Sequence, residues 1–153
     1  MRPGVRVALD VGSVRVGVAR SDATGMLAVP LEAVAAGDAA VDAVRAIVDE
    51  WEAIEVYVGL PLHLSGAEGT AAHKAREWAV ALAERVDVPV RLLDERLSTV
   101  QAQRALHAGG RTTKQSRALI DSASAVMVLQ AALDAEQGSG NPPGELVTGG
   151  DPG

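Results

Sequence analysis

The chain has no cysteine and no phenylalanine, and aromatic residues make up only 2% of it. Without thiols it can build neither a disulfide framework nor a thiolate zinc site. With so few aromatics it lacks the stacking platform of recognition-motif and OB-type single-strand binders. Its core must be made from Ala, Val and Leu. No apolar run reaches membrane-spanning length, so no membrane partner is expected. The N-terminus MRPGVRVALD has neither a long apolar h-region nor an A-x-A-like site, which predicts a cytoplasmic protein. A G-x-G-x-x-G fingerprint and a Walker A sequence are both missing, which excludes Rossmann and P-loop nucleotide binding.

What remains is a chain of 153 residues, 48% apolar and 22% charged, as expected of one soluble domain. Its net charge of -6 argues against a non-specific nucleic-acid binder, which is usually basic. Local distribution matters more than the sum, however. Arg96, Arg104, Arg111, Lys114 and Arg117 fall in one short stretch, while acidic residues dominate 32–55.

The apolar periodicity predicts alternating elements. VRVALD (5–10) and VGVARSD read as two strands of a hairpin, and LAVPLEAV (27–34) as a third that Pro30 confines to an edge or a bulge. Asp38 can cap a helix to about Glu52, with Val41, Val44, Ile47, Val48 and Trp51 at helical spacing. IEVYVGLP (54–61) reads as a central strand, parallel to the first. The capping box SGAE then opens a helix through about Val86, and VPVRLLD (88–94) is a fifth strand. Two further capping boxes, STVQ and TTKQ, open a short helix and a long one ending near Ala135. The stretch from 137 is rich in Gly and Pro and is predicted to be a disordered tail. The expected fold is thus α/β, one domain over 1–136. Its mixed five-stranded sheet would combine an antiparallel meander of three strands with parallel strands, flanked by helices.

Three acidic positions carry the candidate chemistry. Asp10 ends the first strand, Glu95 follows the fifth, and Asp121 lies in the last helix. If the first, fourth and fifth strands are parallel, Asp10 and Asp94-Glu95 share the carboxyl end of the sheet, where ligands gather. Each has a plainer role open to it. Asp10 could shape a turn, and Asp94 and Glu95 could favour the N-terminus of the following helix. Asp121 is harder to explain so, because RALIDSASAVMVLQAAL is apolar on nearly every face and an unpaired buried charge is costly. Arg117, one turn back, is a weak partner in that orientation. Three carboxylates within about 4 Å repel by roughly 4 kcal/mol per pair at an effective dielectric of 20, so a cation belongs among them. Oxygen ligands suit Mg²⁺ or Mn²⁺, and an open carboxylate cage suits two-metal hydrolysis of a phosphodiester. His63, His73 and His107 are scattered over a loop and two helix surfaces and are not expected to be ligands.

LDVGSVRVGVARSD, VGLPLHLSGAEG, LLDERLST and RALIDSASAVMVLQ, in that order, resemble the YqgF/RuvX family of Holliday-junction-resolvase-like proteins. The resemblance spans about residues 5–133. It implies an RNase H-like fold and a divalent-metal-dependent nuclease. Its suggested roles are maturation of the 5′ end of pre-16S rRNA or resolution of four-way DNA junctions. The family's acidic set falls on Asp10, Glu95 and Asp121. Arg15 and Arg96 would be phosphate contacts, with Lys114 and Arg117 as further substrate-binding residues. Two departures stand out: LHLSG where the family more often has an Asn and an Asp-Gly pair, and Ser124 where Ala is usual.

Two other function classes stay open from the residues. A phosphotransferase of the actin type also opens on an Asp-Gly hairpin, but needs two such domains. A non-catalytic ribosome- or replication-associated binding protein would fit the acidic charge. A junction resolvase, making two symmetric cuts, would be a homodimer.

Overall fold

The computed structural model describes residues 2–98 and 120–147. Strands β1 (Arg6–Val11), β2 (Arg15–Ser21) and β3 (Ala28–Ala35) are followed by helix α1 (Ala40–Glu50). Then come β4 (Glu55–Leu60), α2 (Thr70–Ala83), β5 (Val90–Asp94), a 3-10 turn (Glu95–Ser98), α3 (Ala123–Ser139) and β6 (Glu145–Val147). The strands form one sheet in the order β3-β2-β1-β4-β5-β6. β1, β4 and β5 run parallel, and β2, β3 and β6 pair antiparallel to their neighbours.

The sheet is covered on both faces, so its middle strands are buried on both sides. All six residues of β4 are buried. Because side chains alternate along a strand, each strand feeds two cores. Val7, Leu9, Val16, Val18, Val56, Val58, Val90 and Leu92 face α1 and α2, which contribute Val44, Val48, Ala72, Ala75, Ala79 and Leu82. Ala8, Ala19, Tyr57 and Leu93 face α3, which brings Ala125, Val126, Val128, Leu129, Ala132 and Leu133.

The face under α3 carries charge at both ends. At one end Arg6 (β1) is fully buried and its Nη2 lies 3.1 Å from Glu136 Oε2 on α3. Arg2 adds two hydrogen bonds to Glu136, from Nε (2.9 Å) and Nη2 (2.8 Å), and its Nη2 lies 2.7 Å from Oε1 of buried Glu55. Arg91 on β5 completes the group by pairing with Glu55. Hydrogen bonding by Arg2 first, then the charges of Arg6 and Arg2, hold the Glu136 carboxyl down at about 2. Desolvation pushes the Tyr57 hydroxyl above its ordinary value. This network ties the N-terminus, three strands and α3 together.

Several local expectations are corrected. The sheet has six strands, because Glu145–Val147, read from sequence as tail, pairs antiparallel with β5 from Val90 to Leu92. Arg76 on α2 holds that added strand by bridging Glu68 and Glu145. The same bridge removes Glu68 from its expected capping role, and the cap of α2 is Gly69. Helix α1 is preceded by Ala39, not capped by Asp38. The expected edge position of Pro30 is observed: β3 is the outer strand and Pro30 pairs with Ala19. α3 runs to Ser139 and stops at Gly140, whose φ of 82° is the left-handed conformation suited to glycine. The capping boxes STVQ and TTKQ lie at or beyond the edge of the described residues. Among the described residues, no helix is long and apolar enough to cross a membrane.

Candidate active site

The other end of the α3 face is acidic. Asp10 follows Ala8 by two residues and so points to the same side of β1. The register that pairs Leu9 with Val58 sets Asp10 beside Gly59 on β4, and Gly59 pairs in turn with Leu93 of β5. Gly59 is the reason two strands separated by a third can share a site. A Cβ there would lie 2.5 Å from Glu95 Oε1, so any side chain would displace the Glu95 carboxyl. With glycine in between, the Asp10 and Glu95 carboxyls meet in a hydrogen bond. Burial, then the Asp10 contact, pushes the Glu95 carboxyl up to about 8.

Asp121 arrives from the helix side. Its backbone carbonyl would be 3.0 Å from a Cβ on Gly17, and Asp10 Cβ would be 3.7 Å from the same point. Gly17 is the direct β2 partner of Asp10, so a bare backbone lets the chain entering α3 come down onto the Asp10 strand pair. The Asp121 carboxylate, however, accepts a hydrogen bond from Arg15 Nη1 at 3.1 Å and is 26% exposed. Asp121, expected from sequence to have only Arg117 as a weak protein partner, is thus paired with a different arginine. Arg15, more than a hundred residues away in sequence, supplies the counter-charge. Among the described residues no three His, Asp or Glu side chains gather as a metal-holding group. Asp10 and Glu95 are brought together, and Asp121 stands beside them on Arg15.

Arg96 follows Glu95 and is gripped by Asp94. Its Nε and Nη2 donate to Asp94 Oδ2 at 3.0 and 2.7 Å, and its amide donates to Oδ1 at 2.9 Å. This fork holds the Asp94 carboxyl below its ordinary value. Arg96 Nη1 also donates to the Leu64 carbonyl at 3.2 Å, fastening the loop after β4 beside the site. That loop is closed by the His63 amide on Ala67 O and by a bridge between Leu62 and Glu68. Lys114 and Arg117, expected to bind substrate, lie outside the described residues.

One positioning residue went unread in the sequence. Ser122 is fully buried; its Oγ accepts from the Val18 amide at 3.0 Å and donates to the Leu31 carbonyl at 2.7 Å. These are the backbone groups left over where the β2–β3 register shifts between Val16 and Val18. Ser122 thus pins the start of α3, and Asp121 with it, onto the bulge. A polar residue in an apolar helix was the available signal, but its partners lie on distant strands. In Ser122→Ala two buried backbone groups lose their partner, at a cost of about 1–3 kcal/mol. Thermal melts should show that loss, with cleavage reduced further than stability alone explains.

The chain matches the family described as RuvX, Holliday junction resolvase, over residues 4–135. It is 51% identical over 157 aligned positions to a Thermobifida fusca protein named "Putative pre-16S rRNA nuclease", covering 97% of this chain and 99% of that one. A Streptomyces coelicolor protein of the same name is 51% identical over 150 positions, covering 96% of this chain and 90% of its own length. Among solved structures, Thermus thermophilus RuvC in complex with Holliday junction substrate superposes with a TM-score of 0.56. That likeness covers 92% of this chain and 99% of the RuvC chain at 17% identity, and so speaks to the fold. Fold and sequence agree: the chain belongs to the RuvX family, with the RNase H-like architecture of RuvC.

Proposed function

We propose that this protein is a divalent-metal-dependent endonuclease that hydrolyses phosphodiester bonds in structured nucleic acid. Its substrate would be the 5′ end of pre-16S rRNA, four-way DNA junctions, or both, and its place of work the cytoplasm. The observation that carries the reading is the meeting of Asp10 and Glu95 across Gly59, at the carboxyl end of parallel strands. Two carboxyls on a half-buried ledge, the Glu95 group raised by burial and then by Asp10 beside it, are a donor set suited to a hard cation. Asp10 and Glu95 would hold Mg²⁺ or Mn²⁺, and Asp121 would be the third oxygen donor once Arg15 turns from it to a substrate phosphate. A cation held there supplies an activated water at neutral pH and stabilises charge on the leaving oxygen.

The protein's own groups do the rest. Arg15, with 60% of its side chain exposed, would exchange Asp121 for a phosphodiester oxygen. Arg96, oriented by Asp94, would be a second phosphate contact. Lys114 and Arg117 would be further substrate-binding residues. One observation favours a non-catalytic binding protein: Asp121 is neutralised by Arg15 with no metal needed.

Cleavage assays on a pre-16S precursor fragment and a four-way DNA junction, with Mg²⁺ and Mn²⁺ titrated by calorimetry, separate the two readings. Metal binding with cleavage of at least one substrate is the expected result. Neither binding nor cleavage sinks the nuclease reading. A sedimentation measurement in the same buffer should find a homodimer if the junction is the substrate.

A further inference from the structure

Asp10 and Val11 are neighbours in sequence but face opposite sides of the sheet. On the Val11 side, away from the carboxylates, a cavity of about 340 Å³ opens between the β1–β2 hairpin, the segment after β3, and α2. Val11, Val16 and half-buried Trp78 form its apolar wall, and exposed Lys74 and Glu77 stand at its mouth. Lys74, Glu77 and Trp78 are spaced i, i+3 and i+4, which puts a cation, a carboxylate and an indole on one face of α2. Among the described residues, neither Lys74 nor Glu77 belongs to an ion pair. At Gly37, also in the lining, a Cβ would meet nothing within 4 Å, so the backbone is open to a visitor. None of these groups serves the carboxylate site.

We infer that this cavity is a subsite for one unstacked nucleotide next to the scissile phosphate. The base lies against Trp78, its phosphate on Lys74, and Glu77 accepts from an exocyclic amino group. The inference rests on the nuclease reading and deepens it by naming the substrate class. A strand crossing the sheet edge with a phosphate at Asp10 brings its next nucleotide over Val11. The volume is at the small end of ligand pockets, which run from about 300 to 1,000 Å³. It has room for one nucleotide. A base reaches the Trp78 indole only when it is unpaired, so the substrate inferred is a junction between single strand and duplex, or a branch point, rather than continuous duplex. The scarcity of aromatics, which excludes a platform for many bases, is consistent with one indole serving one base.

Trp78 reports on its own occupancy, since the only other indole is Trp51, which stacks on Arg20 with 4.0 Å between guanidinium and ring centroid. In a Trp51→Phe protein without added metal, a short oligonucleotide with a single-stranded end should quench Trp78 emission saturably, and a blunt duplex should not. Lys74→Ala should weaken that binding about ten-fold, the scale of one lost stacking or phosphate contact. Glu77→Gln should narrow the preference for adenylate over uridylate ends. No quenching, equal quenching by blunt duplex, or an unchanged midpoint in Lys74→Ala overturns the subsite. So does emission that varies with protein concentration alone, which would mean that a second copy fills the cavity. Cleavage of the precursor in Mg²⁺ without quenching removes the subsite and keeps the nuclease. Quenching without cleavage of any substrate overturns the inference together with the reading beneath it.

Discussion

Asp10→Asn is expected to lower cleavage by at least about 10²–10³-fold, the scale of losing one preorganised electrostatic contact to a transition state. The fold should survive, because the change keeps shape and replaces one oxygen by a donor that Glu95 can accept. In chelator at pH 8 the melting temperature should stay level or rise, since the variant relieves repulsion between two carboxylates. The sign follows from Glu95. Its carboxyl is raised in the folded protein to about 8 by burial and by Asp10. A carboxyl raised on folding stabilises below its unfolded value, near 4.5, and that contribution is lost as pH climbs through about 8. Metal-free wild type should therefore lose stability between pH 5 and 8, and Asp10→Asn should lose less. Mg²⁺ should reverse the trend for wild type, because a cation would compete with the Glu95 proton and so bind more tightly as pH rises. Circular-dichroism melts in chelator and in Mg²⁺, beside cleavage rates, test each part. Full activity of Asp10→Asn in Mg²⁺ would remove Asp10 from the catalytic set.

Glu136→Ala should have the largest effect on stability. Arg6 is fully buried, and Glu136 is its carboxylate partner. Removing one partner of a buried pair strands the other charge and costs about 3–5 kcal/mol. For a domain of this length that corresponds to a melting temperature lower by roughly 10 °C. The pH dependence runs opposite to that of Glu95. Hydrogen bonding by Arg2 and the charge of Arg6 depress the Glu136 carboxyl to about 2. A depressed carboxylate stabilises above its unfolded value, near 4.5, and the contribution disappears as pH falls toward 2. The gap between wild type and variant should be widest at pH 7 and narrow from about pH 4.5 toward pH 2. A gap independent of pH would mean that packing, not charge, is what Glu136 contributes. Because α3 also carries the chain at Asp121, residual cleavage by folded Glu136→Ala protein shows how tightly the far end of the helix depends on this anchor.

The parts of this molecule legible in sequence are those set by neighbours along the chain. β1, β2, β4 and β5 follow from alternation and β-branched residues, and the edge position of β3 follows from Pro30 lacking an amide to donate. The short strand β6 was invisible because three residues between Gly144 and Thr148 carry no period, and they pair only because β5 offers an open edge. The cap expected of Glu68 failed because Arg76, two turns into α2, competes for its carboxylate. Ser122 and Arg2 escaped because all their partners, Val18, Leu31, Glu55 and Glu136, are distant in sequence.

By itself, the sequence determined which residues carry charge at the ends of strands, and so which carboxylates were available: Asp10, Glu95 and Asp121. Strand ends and helix faces are local properties, written in spacing. Only the tertiary structure decided which of these carboxylates meet. Asp10 reaches Glu95 because the parallel register across β1, β4 and β5 puts Gly59, the one side-chain-free position, between them. Asp121 stops beside them on Arg15 because Ser122 pins the start of α3 to a bulge in β2. Register and helix placement come from packing two cores on one sheet, a sum over the whole chain that no short stretch contains.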